Sequence, residues 1–192
     1  MSEDDFADRL VDLLVPYVEP HKIARKKSLL YDLSFDHRGV VTMGVDPDSG
    51  EPIRGGGRGF EQDILVFDEV CDSHTSIVPR IVAELKVGHV TTHDVIVYSE
   101  KADRIRRVYP YLRYGLVLGD MLHIPGRVLR LGQRFDFIAV LSSGSGGPDF
   151  AKFGQLMRDE AAASVTLTRL LFEKEKPTLM HRRLVSETRR GA

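Results

Sequence analysis

The first part of the chain carries apolar side chains at the spacing of one helix face. Over residues 4–17, this face is occupied by Phe6, Leu10, Leu13, Leu14 and Tyr17. Apolar residues that recur every three or four positions are typical of an amphipathic helix with one buried side. Pro20 lies just beyond, and a basic stretch over residues 21–27 follows. The pattern predicts an N-terminal helix over residues 4–17.

Four runs follow the basic stretch, of which three are predicted to be strands and the second is a candidate partner of the first. They cover residues 31–35, 40–45, 60–67 and 77–87, and the last of them is rich in Ile and Val. Short runs with many β-branched residues favour strands over helices. Residues 46–50, with the sequence DPDSG, form a strong turn signal between the second and third runs.

After residue 87 the period of the apolar positions changes from two to about 3.6. One helix face is then occupied by Val95, Tyr98, Ala102, Ile105 and Tyr109. Thr92 is a candidate for the N-terminal cap of this helix, and Pro110 requires the helix to end. The chain is therefore predicted to pass from its strands into a single well-delimited helix.

Two further strands and a long helix complete the predicted elements. The strands cover residues 111–118 and 135–141, and a Ser/Gly loop at residues 142–147 leads into a final helix over residues 149–174. The middle helix is a natural crossover between two parallel strands, whereas turns link the earlier strands. We therefore expect an α/β fold with a central mixed β-sheet flanked by α-helices.

Length and composition are those of an ordinary globular protein. The 192 residues fit one domain with a substantial core, predicted over residues 1–175 and followed by a basic C-terminal tail at residues 176–192. Cys71 is the only cysteine, which excludes an intrachain disulfide and a Cys-based zinc finger. The net charge of -1 neither favours nor excludes nucleic acid. An acidic start and no apolar run of membrane-spanning length predict a cytoplasmic protein without membrane association.

A charged tripeptide interrupts the apolar run at residues 77–87. Glu84 and Lys86 are two positions apart, so on a strand they project from one face while Leu85 is buried on the other. Buried charges of this kind need partners. Asp63 opens the preceding strand, 21 positions before Glu84. If the two strands pair as a hairpin, Asp63 and Glu84 meet at one end of the sheet.

Two carboxylates and a lysine at a strand end suit a hard divalent cation. Magnesium prefers oxygen ligands and keeps several of its waters. Two carboxylates, a backbone carbonyl and a phosphate oxygen can hold such an ion, which activates a bound water and offsets charge on the phosphorus. Asp63, Glu84 and Lys86 are therefore the predicted reaction centre of a phosphodiester hydrolase, in which the lysine positions or helps to deprotonate the attacking water.

The order of the elements and the placement of these residues resemble the PD-(D/E)xK nuclease superfamily, which includes restriction endonucleases. The resemblance implies a restriction-endonuclease-like αβββαβ core and hydrolysis of DNA with Mg²⁺, for which Mn²⁺ can substitute. It also implies that Asp63 and Glu84 are metal ligands, that the carbonyl of Leu85 is a further ligand, and that Lys86 is the catalytic lysine. A role in restriction or host defence is the corresponding expectation.

The resemblance extends to two further residues and to the assembly. Many members add a glutamate from the first helix, for which Glu19 is the best-placed candidate metal ligand. Some use a polar residue on the crossover helix, where Lys101 is the candidate catalytic residue. Such enzymes often act as homodimers, and the last helix is a candidate interface. One departure is Gln62, which stands where the family motif has proline.

The main alternative is a catalytically silent nucleic-acid-binding or scaffold protein that keeps the nuclease fold. Separately, a purely structural interpretation of the same residues has Glu84 and Lys86 in a cross-strand salt bridge on a solvated sheet face, while Asp63 merely opens a strand. The glycine-rich residues 55–59 lack the Gly-Lys-Ser/Thr ending of a P-loop. An unrelated α/β enzyme is disfavoured because the sequence has no nucleophile elbow or zinc-protease motif.

Overall fold

A computed structural model of the chain describes residues 1–35, 41–42, 57–70, 77–142, 148–173, 177–178 and 180. The elements in chain order are α1 (Glu3–Val18), β1 (Lys22–Phe35), β2 (Val41–Thr42), β3 (Gly57–Glu69), β4 (Ile77–Val87), α2 (Thr92–Val108), β5 (Arg113–Gly119), α3 (Gly126–Leu131), β6 (Phe137–Leu141) and α4 (Pro148–Phe172).

The strands form one mixed sheet in the order β2-β1-β3-β4-β5-β6. β1, β3 and β4 are antiparallel neighbours, and β2 is a two-residue edge strand on β1. β4, β5 and β6 run parallel, with α2 and α3 as the connections between them. The predicted α/β fold with a mixed sheet flanked by helices is confirmed, including the adjacent parallel strands on either side of α2.

The two faces of the sheet are covered by different helices. α1 and α4 pack on one face, and α2 and α3 pack on the other. Ile81 and Leu85 of β4 belong to the core under α1, whereas Val82 belongs to the core under α2. Because successive side chains of a strand alternate between faces, Glu84 and Lys86 project towards α2. The predicted reaction centre therefore lies on the α2 face.

β1 begins at Lys22 rather than at residue 31, so the basic stretch over residues 21–27 runs into the sheet. The shorter predicted strand was wrong because the charge of Arg25 suggests a solvent-exposed segment in the local sequence, whereas in the fold acidic residues of α1 pair with it. Arg25 donates hydrogen bonds to the carboxylates of Asp4 and Asp8 on α1. Charge-assisted hydrogen bonds of this kind stabilise an arginine that lies between a helix and a strand.

Two details of the second half also differ from the prediction. α2 is capped by Thr91 and not by Thr92: Oγ1 of Thr91 accepts a hydrogen bond from the N–H of Asp94 at 3.1 Å. Oδ2 of Asp94 accepts one in return from the N–H of Thr91 at 2.7 Å, which completes a capping box. α3 has no predicted counterpart because its 6 residues are too few to show a helical period.

Several predicted segments lie wholly or largely outside the described residues, namely the turn at residues 46–50, the loop at residues 142–147 and the tail at residues 176–192. Within the described part of the chain, no helix combines the length and apolar character that a membrane span requires.

An ion-pair network near the end of β3 ties the sheet to α4. Oδ2 of Asp68 accepts hydrogen bonds from Nε and Nη2 of Arg80 at 2.8 and 2.7 Å, and Oδ1 of Asp68 is paired with Nδ1 of His21. Nη1 of the buried Arg80 donates to Oγ1 of Thr168 at 2.7 Å. Burial by itself raises the pKa of Asp68, but the hydrogen bonds from His21 and Arg80 outweigh it and hold that pKa below its ordinary value.

Replacing Asp68 with Asn is expected to lower the free energy of unfolding at pH 7 by about 2–3 kcal/mol, because Arg80 would lose its anion. The lowered folded-state pKa means that the carboxylate stabilises the fold fully above its unfolded-state pKa of about 3.9. This contribution is lost as the pH falls through the folded-state pKa, so the stabilities of wild type and variant should begin to converge at about pH 4 and meet at lower pH.

Urea denaturation of both proteins as a function of pH measures the difference in the free energy of unfolding. Asp12→Asn makes the same change on the exposed side of α1 and should alter stability by less than about 0.5 kcal/mol. An equal loss in the two variants would refute a specific role for the Asp68 network.

Candidate active site

Asp63 and Glu84 lie on the neighbouring antiparallel strands β3 and β4. The last paired residues at this end are Ile64 and Ala83, so the next position along places Asp63 opposite Glu84. Oδ2 of Asp63 accepts a hydrogen bond from the backbone N–H of Leu85 at 2.8 Å. The two carboxylates therefore meet at one end of the β3–β4 pair, as the hairpin spacing predicts.

The pairing of β1 with β3 is interrupted at Asp63 and its neighbour Lys26. Lys26 has a φ of 53°, a left-handed conformation that is uncommon for residues other than glycine. On a regular strand, residues an odd number of positions apart face opposite sides of the sheet. Phe60 and Leu65 are five positions apart, yet both pack in the core under α2, so the alternation of side chains between the two faces changes once between them. This shift brings the buried Gln62 to the α2 face, where it joins the site.

Glu84 is 1% exposed and has two direct partners. Its Oε1 accepts a hydrogen bond from the hydroxyl of Tyr114 at 2.6 Å and lies 2.6 Å from Nζ of Lys101. Burial raises the pKa of Glu84 to about 7; Lys101 opposes this increase and the charge of Asp63 adds to it. The charge of Glu84 therefore depends on the cations around it, and a divalent cation would favour the ionised form.

Lys101 reaches Glu84 from α2. Its Nζ also donates a hydrogen bond to the backbone carbonyl of Glu61 at 3.0 Å. The ring centroids of Phe60 and Tyr98 each lie 5.6 Å from the same nitrogen, within the range of a cation–π interaction. The structure thus brings the predicted crossover-helix residue to the predicted carboxylate, while its catalytic role stays a prediction.

Lys86 projects from the same face as Glu84, but its ammonium pairs elsewhere. Nζ of Lys86 lies 3.4 Å from Oε2 of Glu3 at the start of α1 and 5.8 Å from the ring centroid of Tyr98. Burial lowers the pKa of Lys86, but Tyr98 and Glu3 outweigh it and raise that pKa. The alternative of a Glu84–Lys86 salt bridge on a solvated face is wrong, because Glu84 is buried and pairs with Lys101.

The glutamate that α1 contributes to this region is Glu3 and not the predicted Glu19. Glu19 is exposed and follows the last residue of α1, two positions before His21 of the Asp68 network. Sixteen residues separate the two glutamates, and a rise of 1.5 Å per residue places them roughly 24 Å apart. The side chain of Leu85 is buried under α1 as predicted, and the role of its carbonyl stays a prediction.

Four residues around the carboxylates have no assigned role in the sequence prediction: Glu3, Gln62, Tyr98 and Tyr114. The hydroxyl of Tyr114 lies 3.4 Å from Oε1 of Gln62 and so links that buried amide to Glu84. A tyrosine on a buried face produces the same apolar period whether or not its hydroxyl has a polar partner. The sequence does contain one signal that could have identified Tyr98: it lies three positions before Lys101, on the same side of the helix.

The donor atoms at this site suit a hard divalent cation. Oδ2 of Asp63 and Oε1 of Glu84 have the protein partners given above, and within the part of the chain that the structure describes one further oxygen on each carboxylate remains for a metal. Oxygen ligands are those that Mg²⁺ and Mn²⁺ prefer. Across the described ranges, no cluster of three or more His, Cys, Asp or Glu side chains is arranged to hold a metal. Backbone, phosphate and water oxygens would therefore have to complete the coordination.

No protein-family model matches the chain, and no curated protein matches it in sequence. The functional interpretation therefore depends on the geometry of Asp63, Glu84, Lys86 and their neighbours.

Proposed function

We propose that the protein is a metal-dependent nuclease that hydrolyses phosphodiester bonds in DNA. The observation that carries the proposal is the placement of Asp63 opposite Glu84, with Lys86 two residues further along on the same face of β4. The succession α1, β1, β3, β4, α2 and β5 supports a restriction-endonuclease-like αβββαβ core of the PD-(D/E)xK class. Fold-level similarity alone would not carry the function, because one fold supports many activities.

In this proposal Asp63 and Glu84 hold a magnesium ion, and the carbonyl of Leu85 is a further ligand. When bound, the ion activates water and neutralises negative charge on the phosphate. The hydrogen bond from the N–H of Leu85 fixes the orientation of the Asp63 carboxylate. The side chain therefore does not have to reorient when its second oxygen binds the ion. Lys101 and Tyr114 restrain Glu84 in the same way.

In this proposal Lys86 is the residue that contacts the substrate. Its side chain is 24% exposed, in contrast to the buried Glu84, so the ammonium lies nearer to solvent. A protonated lysine donates up to three hydrogen bonds and can pair with a phosphate oxygen while it orients a water. We therefore assign Lys86 to phosphate binding and water positioning.

One observation favours a second candidate, a catalytically silent nucleic-acid-binding or scaffold protein. The charge of Glu84 is already balanced inside the protein by Lys101, and its Oε1 also accepts the Tyr114 hydroxyl. Such a network can stabilise the packing of α2 on the sheet in a protein that catalyses no reaction.

Cleavage of supercoiled plasmid and of linear single-stranded DNA separates the two candidates. The nuclease should cut in Mg²⁺ or Mn²⁺ and should not cut in EDTA. Lys86→Met is expected to reduce the rate by roughly 10²-fold or more, which is the range for loss of a group that positions or transfers a proton. Lys22→Met changes an exposed lysine on β1 and should retain the wild-type rate.

Cutting that persists in EDTA, or a wild-type rate in Lys86→Met, would reject this mechanism. If wild type cuts neither substrate, calorimetry with Mn²⁺ decides between the candidates. Binding that Asp63→Ala abolishes would retain the metal site, whereas no binding at all would support the scaffold.

A further inference from the structure

Lys101 provides the site with a cation of its own. Its ammonium lies 2.6 Å from Oε1 of Glu84 and 3.0 Å from the carbonyl oxygen of Glu61. The rings of Phe60 and Tyr98 flank it at 5.6 Å each, and the side chain is only 13% exposed. Two oxygens and two aromatic rings hold this ammonium in place, unlike the mobile lysine of an exposed ion pair.

The protein partners of the two carboxylates limit the oxygens that remain for metal. Oε1 of Glu84 receives both Lys101 and the buried hydroxyl of Tyr114, each at 2.6 Å. Oδ2 of Asp63 is occupied by the N–H of Leu85 at 2.8 Å. Among the contacts between described residues, Oε2 of Glu84 and Oδ1 of Asp63 are the oxygens left over, one from each carboxylate.

We propose that this site binds a single divalent cation and that the ammonium of Lys101 takes the place of a second one. The inference rests on the proposed nuclease function and specifies its metal requirement. Sites with two ions about 3.5–4 Å apart clamp both reacting oxygens and need ligands for each ion. In the described part of the chain, Glu3 and Asp94 are further carboxylates close to Lys86. Glu3 pairs with Lys86, and Asp94 accepts hydrogen bonds from Thr91 at the start of α2.

Charge balance supports the same stoichiometry. Ionised Asp63 and Glu84 carry two negative charges, and Lys101 supplies one positive charge beside them. One divalent cation makes the group of three residues and ion positive by one unit, which suits a phosphate anion, whereas a second ion would add repulsion in a buried place. Lys101 acts through Glu84 and is therefore a positioning residue.

Titration calorimetry of the full chain with Mn²⁺ at pH 8 tests the proposal. Wild type is expected to bind one ion. Lys101→Met is expected to bind Mn²⁺ about ten-fold more tightly, because the repulsion from the ammonium is removed. Lys101→Arg keeps the charge and should keep the wild-type affinity. Arg104→Met, three positions further along α2, removes a cation outside this cluster and should change nothing.

Two ions per wild-type chain would overturn the proposal, as would an affinity that Lys101→Met leaves unchanged or weakens. Either of these results for Lys101→Met would reject the role of Lys101 but would not by itself reject the proposed nuclease. No binding in either protein rejects the metal site and with it the proposed nuclease. Thermal denaturation establishes that each variant is folded, and the wild-type stoichiometry tests the single-ion claim even if Lys101→Met does not fold.

Discussion

Replacing Asp63 with Asn is expected to reduce the proposed Mg²⁺-dependent DNA cleavage by roughly 10³-fold or more. Asn keeps the size of the side chain and an oxygen that can accept the hydrogen bond from the N–H of Leu85. It removes one of the two negative charges that attract a divalent cation. A metal ion contributes several kcal/mol of charge stabilisation, and each 1.4 kcal/mol or so corresponds to a factor of ten in rate.

Initial rates of plasmid cleavage measure this effect, and calorimetry should show weaker Mn²⁺ binding by the same variant. Asp12→Asn makes an identical chemical change on the exposed side of α1 and is expected to keep the wild-type rate. Wild-type cleavage by Asp63→Asn would exclude Asp63 as a metal ligand. A large loss of stability in that variant would instead identify a structural role for the Asp63–Leu85 hydrogen bond.

Replacing Gly115 with Ala is expected to lower the free energy of unfolding by roughly 3 kcal/mol. Gly115 on β5 lies opposite Phe137 on β6, and the ring of Phe137 covers it. A Cβ atom at Gly115 would lie 2.1 Å from the nearest ring carbon, well inside van der Waals contact. The ring is itself buried and packs against Phe153 of α4 at a centroid distance of 6.3 Å, which restricts its movement.

Thermal and urea denaturation measure this loss, which corresponds to a fall in melting temperature of about 6–12 °C for a chain of this size. Gly126→Ala is the matched control, because a Cβ at Gly126 meets no atom within 4 Å. The double variant Gly115→Ala/Phe137→Leu should be more stable than the two single losses predict, since the smaller side chain makes room. Strict additivity would argue against a clash between these two positions.

Apolar periodicity was sufficient to predict most of the elements. The strand over residues 77–87 has both ends where predicted, because its apolar run is bounded by turn-forming residues on either side. The apolar pattern did not predict the start of β1, because the charged residues there are typical of a solvent-exposed segment. Arg25 is paired there with Asp4 and Asp8 of α1, and no local pattern of residues 21–27 contains that information.

By itself, the sequence determined where the candidate reaction centre lies. A strand period of two places Glu84 and Lys86 on one face, and a hairpin between neighbouring strands brings Asp63 to the same end. Only the tertiary structure decided which charges pair: Glu84 with Lys101 of α2, and Lys86 with Glu3 of α1. A lysine side chain is long enough to reach acids in several directions, so the docking of α1 and α2 on the sheet selects its partner.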